Sequence, residues 1–431
     1  MKQTEDISFP YSPERTTEII LDGDINLNDL LNASIMSRAE AIETLIIPAG
    51  KEIVLNLNGC TLYKEKACTG NYNMILNKGT LTITGNGKIS FKDTGAGDPT
   101  FGWGSYTLRN EGTLVVNNGT IEHLGEQNPG NGQANVHMYC AIFQYCGSST
   151  INGGTISTPT YRSARLWSGD MTINGGNFEG QLWLQAVDNT SELTINGGTF
   201  APRGNDGSSV FVTNSSYDVT CAINGGTFTS KIGMSKAIRC VTGGTFAADP
   251  SAYITAGYAV KEVDGVYTVY ALTVGSIIEL AGQKAIIYSV DTEVIKAVSV
   301  AELMLKGKTC SDAATWAEGL GTGWTLASIY DLDTIHAVRA KLNVALAANS
   351  ADNALFCENE YVAEGKYALY VSSTVADGSD PQGETYFANR IMLKYFNLNG
   401  YWDYPYSTFA TINKSAPLKD NYFARGVYEI K

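Results

Sequence analysis

The phrase Ile-Asn-Gly-Gly-Thr-Phe recurs along the middle of the chain and dictates how it can fold. It reads Ile195-Asn-Gly-Gly-Thr-Phe200 and Ile223-Asn-Gly-Gly-Thr-Phe228, with close variants at Ile151–Ile156, Ile173–Phe178 and Val241–Phe246. A degenerate copy spans Val116–Ile121, and Ile83–Ile89 holds a version one residue longer. The last glycines of the copies fall at 87, 119, 154, 176, 198, 226 and 244, in steps of 18 to 35 residues. Self-similarity at this period means stacked units, because one unit cannot bury its own apolar face.

Each copy is a short β-branched run, then Asn-Gly-Gly, then another apolar residue. That is strand, corner, strand, with glycine supplying the positive φ of the corner. No copy carries a helix-period segment, which excludes a βα solenoid; the pattern predicts a right-handed parallel β-helix. Alignment puts Val116, Ile151, Ile173, Ile195, Ile223 and Val241 in one inward column. Ile121, Ile156, Phe178, Phe200, Phe228 and Phe246 form a second, whose phenylalanines can stack along the axis. Asn117, Asn152, Asn174, Asn196 and Asn224 are placed to form a side-chain amide ladder at the corner.

The repeats stop after Ala271, so the chain divides into a tail (1–15), a β-helix with an end cap and a closing hairpin (16–271) and a smaller α/β domain (272–431). Net charge is −13, and both large parts are acidic without a Lys/Arg run. Nucleic acid and anionic membrane surfaces are therefore poor partners. No stretch has the ~18 apolar residues of a membrane span. The sequence starts Met1-Lys-Gln-Thr-Glu without a hydrophobic signal segment, which read literally means cytoplasmic. An acidic β-solenoid rich in Tyr, Thr, Asn and Gly suits an extracellular surface, and the expectation is a secreted or cell-surface protein whose signal is absent from this sequence.

Eight cysteines (60, 68, 140, 146, 221, 240, 310 and 357) include no Cys-x-x-Cys pair and no zinc spacing. Most read as small buried fillers. A Cys140–Cys146 or Cys310–Cys357 bridge stays open. Cys240 aligns with Ala222, which sends Cys221 and Cys240 to opposite faces.

The solenoid opens near Leu21–Ile25 and the run Leu45–Gly59, with a capping helix expected over Leu30–Ala41. It closes at a hairpin around Asp264-Gly265. Beyond it, Val274–Val290 and Val294–Val300 read as strands and Cys310–Leu320 as a helix. Ser328–Ala347 reads as a longer helix, with Ser328 as N-cap and Asp331 completing a capping box. Tyr367–Ser373, Ala388–Phe396 and Arg425–Ile430 read as strands.

Two resemblances follow from these residues. Leu45–Gly59 resembles the first coil of secreted bacterial β-helix proteins of the pectate-lyase-like superhelix type. Gly323-Trp-Thr-Leu-Ala-Ser-Ile-Tyr-Asp-Leu332 with its helix, Val371-Ser-Ser-Thr374 and Phe423-Ala-Arg-Gly-Val-Tyr428 resemble, in order, three motifs of bacterial C-type-lectin-like domains of the fibrobacter-major-paralogous kind. Thr325, Ala327, Val371 and Tyr428 replace that family's usual Arg, Pro, Trp and Arg. The resemblance implies a mixed α/β lectin-like fold and a non-catalytic cell-adhesion protein. In it the β-helix is the scaffold, and the C-terminal domain binds a glycan or a cell-surface protein.

The main rival is a polysaccharide lyase or glycoside hydrolase on the β-helix. A lyase needs clustered acids for calcium and a basic residue, a hydrolase paired carboxylates. Asp170, Glu179, Asp188 and Glu192 share no aligned column. Of three histidines, His123 (beside Glu122) and His137 flank the glycine-rich insertion at 125–135, and His336 sits in a helix. No catalytic residue and no cofactor is assigned. A third reading is a structural stalk with a featureless outer surface.

Two candidate contact surfaces emerge. Tyr139, Tyr161, Trp183 and Phe211 each stand fifteen residues before an anchoring glycine. If the aliphatic neighbours Leu182, Leu184, Val210 and Val212 face the core, these aromatics form an outward ladder of about 4.8 Å per step, suited to sugar rings. Arg162 argues the reverse, since it shares the inward parity with Leu184. The second surface is the loop Asn399–Tyr406, where Tyr401, Trp402, Tyr404 and Tyr406 cannot all enter a core. In the lectin-like resemblance it lies on the ligand face. Asp380-Pro381-Gln382 and Trp402-Asp403 partly match calcium-holding lectin loops, making Asp380 and Asp403 weak candidates for that ion.

Overall fold

The computed structural model describes residues 16–32, 44–68, 70–95, 104–125, 139–185, 187–203, 207–214, 216–291, 294–348, 368–375, 378–379, 385–386, 390–396, 409–413, 418 and 422–430. Two compact units are present, residues 1–270 and 271–431.

In the first unit the repeat builds long parallel sheets, consistent with a β-helix-like solenoid. Eight strands form the first sheet: Thr17–Ile20, Glu52–Asn56, Thr80–Thr84, Thr113–Val116, Ser148–Ile151, Asp170–Ile173, Glu192–Ile195 and Thr220–Ile223. A second column runs from Ile25–Asn26 through Thr61–Lys66, Lys88–Asp93 and Thr120–His123 to Thr199–Ala201, Thr227–Phe228 and Gly244–Phe246. A third contains Leu45–Ile47, Tyr72–Asn77, Ser105–Asn110, Cys140–Gln144, Ser208–Thr213 and Lys231–Met234. The strands Thr155–Leu166 and Asn177–Gln185 run through both the second and third columns.

Both inward columns form in register. Val116, Ile151, Ile173, Ile195 and Ile223 are consecutive partners, and Val241 joins through a parallel bridge; all are fully buried. Ile121, Ile156, Phe178, Phe200, Phe228 and Phe246 follow in the second column. The four phenylalanines stack, with centroids 4.9, 4.9 and 4.7 Å apart and planes within 16°.

At the corner between these sheets the amide ladder forms. Asn152, Asn174, Asn196 and Asn224 each donate Nδ2 to the preceding Oδ1 at 2.8–2.9 Å, from Asn117 upward. Thr242 ends it, donating Oγ1 to Asn224. Glycine is obligatory beside the ladder: Gly154 has φ +85°, and a Cβ there would lie 2.5 Å from the Gly119 carbonyl oxygen. A second, buried ladder supports the start of the next coil, with Asn77 Nδ2 on Asn110 Oδ1 (2.6 Å) and Asn110 Nδ2 on Gln144 Oε1 (2.9 Å). Buried amides demand such partners.

At one end, helix α1 spans Leu27–Asn32, earlier than the helix expected over 30–41; residues 33–41 lie outside those described. At the other, the strands Tyr258–Val263 and Val266–Ala271 flank Asp264 (φ 52°) and Gly265 (φ 78°), the two positive φ values of a primed hairpin turn. The second of them pairs antiparallel with Gly244–Phe246.

The second unit is mixed α/β. One five-stranded sheet takes the order Ile277–Leu280, Gln283–Val290, Ile295–Ser299, Gly426–Ile430, Trp324–Leu326, with antiparallel neighbours throughout. Another contains Leu303–Met304, Tyr422–Ala424, Ala368–Val375, Arg390–Phe396 and Phe409–Asn413. Helix α2 (Cys310–Glu318) starts at a capping box of Thr309 and Asp312. Helix α3 (Ile329–Ala348) starts at Ser328, whose Oγ accepts from Asp331 N (3.1 Å) while its N–H donates to Asp331 Oδ2 (3.0 Å).

The chain's one fully buried arginine, among the described residues, other than Arg165 of the first unit, organises this second unit. Arg425 donates Nε and Nη2 to Glu302 Oε2 (3.0 and 2.8 Å) and Nη1 to the Ser299 and Val300 carbonyls (2.9 and 2.6 Å). Tyr370 donates its hydroxyl to the same carboxylate.

Candidate functional site

On the outer face of the third column the register lines up Arg109, Phe143, Arg165, Trp183 and Phe211. Leu182, Leu184, Val210 and Val212, their strand neighbours, are fully buried on the core side. The strip is an alternation of guanidinium and ring. Arg109 Cζ lies 3.8 Å from the Tyr145 centroid and 5.7 Å from that of Phe143. Arg165 lies 4.9 Å from Phe143, 4.3 Å from Trp167 and 5.0 Å from Trp183, and Arg162 caps Trp183 at 3.5 Å. Tyr106 packs on Phe143 with centroids 4.4 Å apart.

Polar contacts lock these groups. Arg165 donates to Tyr106 Oη (3.4 Å) and Gln185 Oε1 (2.7 Å), Trp183 Nε1 donates to Thr213 Oγ1 (2.9 Å), and Arg109 pairs with Glu111 at 2.6 Å. Burial, the largest influence, pushes the Tyr106 hydroxyl well up and the Cys140 thiol up to about 12. Neither supplies a nucleophile. Tyr145 is exposed, and Trp167, Phe211 and Arg109 are half-buried. The result is a preorganised ridge of aromatic faces with guanidinium groups between them, cationic on an otherwise acidic chain.

This ridge corrects the expected column. Trp183 and Phe211 are in register and lie on the outer side, but Trp183 is only 9% exposed because Arg162 covers it. Tyr139 and Tyr161 do not align with them. Trp183 and Phe211 stand fifteen residues before Gly198 and Gly226, whereas their true partners Arg165 and Phe143 stand eleven before Gly176 and Gly154. The turn leaving the third column is four residues shorter in those coils. Counting back by a constant offset therefore lands early. The Arg162 parity argument fails for a related reason: register shifts on either side of it pair Arg162 with Gln181. Tyr161 lies in the strand Thr155–Leu166, with its side chain outside the described residues. Tyr401, Trp402, Asp403, Tyr404, Tyr406 and Asp380 also lie outside them. Among the described residues no three His, Cys, Asp or Glu side chains converge as a metal site, and no helix is long and apolar enough to cross a membrane.

Tyr139 instead stacks on His123, with centroids 5.1 Å apart. His123 is fully buried between that ring and Phe91, and its Nε2 meets Ser105 Oγ at 2.9 Å. The pair has the composition of a nucleophile and its base. The proton is on the wrong nitrogen: Gly125 N–H donates to Nδ1 (3.0 Å), so neutral His123 carries its hydrogen on Nε2 and donates to Ser105. It cannot accept the serine proton. Burial lowers its pKa from 6.5 to about 4, against an opposing pull from Asp93.

A stability prediction follows from this shift. As pH falls from 6.5 to about 4, the unfolded chain takes up a proton that folded His123 refuses, so stability declines through that window and levels below it. The expected loss is on the order of 3 kcal/mol. Denaturant titrations at pH 7 and 4.5 on wild type and His123→Gln check it. The variant's acid decline should be shallower, and an identical decline would remove His123 as the cause.

In the second unit a cleft of about 420 Å³ is lined by Tyr288, Lys296, Gly323, Thr325, Asp331, Val427 and Glu429. Asp331 accepts from Tyr288 Oη (2.7 Å), Lys296 Nζ (2.9 Å) and Ser328 Oγ (2.6 Å). Burial opposes its ionisation, but the hydrogen bonds from Ser328, Tyr288 and Lys296 prevail and hold it below the usual carboxylate range. The hydrogen bond to Asp331 raises Lys296. Asp331 thus serves the start of α3 through Ser328 while Lys296 and Tyr288 satisfy its other oxygen.

Against known families, characterised proteins and solved structures, the chain finds no match. The ridge was hidden in the sequence by unequal turn lengths. Its signal is an Arg or aromatic residue ten or eleven positions before the glycines of the shorter coils, at Arg109, Phe143 and Arg165.

Proposed function

We propose that this is a non-catalytic, secreted or cell-surface glycan-binding protein whose ligand lies along the outer ridge of the third column. In this reading the first unit is a right-handed, single-chain parallel β-helix. The second is a C-type-lectin-like domain with a further ligand face in the loop 399–406. The observation that carries the proposal is the alternation of Arg109, Phe143, Arg165, Trp183 and Phe211, flanked by exposed Tyr145. Exposed Tyr145 and half-buried Trp167 and Phe211 offer ring faces to sugars, and half-buried Arg109 can donate to hydroxyl or carboxylate oxygens. Buried Phe143, Arg162, Arg165 and Trp183 hold them in place. The stacking locks the side chains before binding, which lowers the entropy cost of association. A featureless stalk needs no such ridge, and the nitrogen assignment at His123 disfavours hydrolysis through Ser105.

Titrating the full chain with soluble neutral and uronate-containing polysaccharides, read by fluorescence of Trp167 and Trp183, tests the proposal. Tyr145→Ala with Phe211→Ala should weaken binding about tenfold or more, since each lost stack contributes about 0.5–1.5 kcal/mol. Unchanged affinity in that double variant would move the site elsewhere. Release of shorter sugar products by the wild type would replace the binding reading with the enzyme.

A further inference from the structure

The last coils of the first unit bring two thiols together. Cys221 follows Leu193 in the inward register of the first sheet. Cys240 belongs to the next coil, where Val241 bridges Ile223 and Ile223 N donates to the Cys240 carbonyl at 2.8 Å. In a regular strand Cys240 would point away, as expected from its alignment with Ala222. The chain there is irregular: the Cys240 and Val241 N–H groups both donate to the Tyr253 carbonyl, at 2.9 and 3.0 Å. That rotation turns Cys240 inward, so that it is 7% exposed and packed in the same core as Cys221. The two thiols are close enough to shift each other's titration in opposite directions.

We propose that Cys221 and Cys240 are a disulfide-forming pair that staples the final coil of the solenoid to its neighbour. The register sets them one strand apart and one residue along, about 6 Å between Cα atoms, inside the range a disulfide spans. The other close pair of the first unit does not compete. Cys140, which opens the strand Cys140–Gln144, donates to the Ile142 carbonyl, and Cys146, two residues past its end, to that of Glu111, which corrects the bridge considered between them. Cys357 lies outside the described residues.

The neighbouring Cys221 holds the Cys240 thiol below its ordinary range, while Cys240 and burial raise that of Cys221. Cys240 is therefore the attacking thiolate. Against a small-molecule disulfide such as oxidised glutathione, its sulfur bonds to one glutathione sulfur and expels the other as a thiolate. The Cys221 sulfur then attacks Cys240 of the mixed disulfide, expelling the second glutathione. The two protein thiols lose two electrons and two protons; the glutathione disulfide gains both and leaves as two thiols.

The coil of Cys240 has a full repeat on one side only, its other side being covered by the closing hairpin and the segment at Tyr253–Ile254, so it is where the repeat stack frays first. Closing the loop between residues 221 and 240 should raise the melting temperature by about 5–10 °C. The test exposes full-length reduced protein to oxidised glutathione, blocks remaining thiols, digests at low pH without reductant and maps linked peptides by mass spectrometry. The expected result is a Cys221–Cys240 peptide two hydrogens lighter than the reduced pair, with the melting temperature raised reversibly by oxidation. Cys221→Ala should accumulate glutathione on Cys240 instead. Quantitative alkylation of both cysteines in the oxidised wild type would overturn the proposal, as would a linked peptide joining either one mainly to another cysteine. The outcome is independent of any sugar titration.

Discussion

Replacing Arg425 with alanine is expected to destabilise the second unit by about 3–5 kcal/mol, because it strands a carboxylate that folding has taken out of water. Glu302 Oε2 receives two guanidinium hydrogen bonds and the Tyr370 hydroxyl, and the Ser299 and Val300 carbonyls depend on the same arginine. These partners sit on strands far apart in sequence, so the guanidinium ties the closing segment to Ser299–Glu302 and to Ala368–Val375. The loss should appear as faster hydrogen exchange in peptides from 271–431, with those from the repeats unchanged. Removing the whole set tests the cause. Arg425→Met with Glu302→Leu and Tyr370→Phe should recover most of the stability, since well-packed apolar replacements leave no buried charge behind. A single variant that loses less than about 1 kcal/mol, or a triple variant no better than the single, would show that the arginine is passive filling.

The contrast between what was legible in this chain and what was not has a physical basis. Asn152, Asn174 and Asn196 were readable as a ladder because identical residues at identical offsets from a glycine must land in register wherever the corner is conserved within the chain. The same logic gave the column from Phe178 to Phe246. It broke where coils differ in length: the turn after Gln185 is longer than that after Arg165, so the outward ridge was assembled from the wrong partners. Cys240 was misplaced because strand parity was applied to irregular backbone. The buried amides Asn77, Asn110 and Gln144 were missed, since their two steps differ in both residue type and spacing, 33 and then 34 residues. Ser105 and His123 are eighteen residues apart on strands of different columns, and only the fold brings them together.

Truncating Phe200 to alanine should cost the first unit about 3–5 kcal/mol, the range for a fully buried aromatic side chain whose surroundings cannot collapse. Phe200 has no exposure and is stacked on both faces, by Phe178 and Phe228, each 4.9 Å away. Those rings are held at the strand spacing by backbone pairing, so they cannot close the gap without breaking the sheet register. Phe246 supplies the control. It is as buried as Phe228 but stacks on a ring at one face only, and its strand lies next to the closing hairpin, where the backbone can shift. Phe246→Ala should therefore cost less, and Phe200→Leu, which keeps most of the volume, less again. Because each coil contacts mainly its neighbours, the damage should be local, with hydrogen exchange rising between about residues 177 and 230 before it rises near residue 80. Equal losses at Phe200 and Phe246, or exchange that rises uniformly along the repeats, would mean that the phenylalanine column is not a stack of neighbour-supported layers.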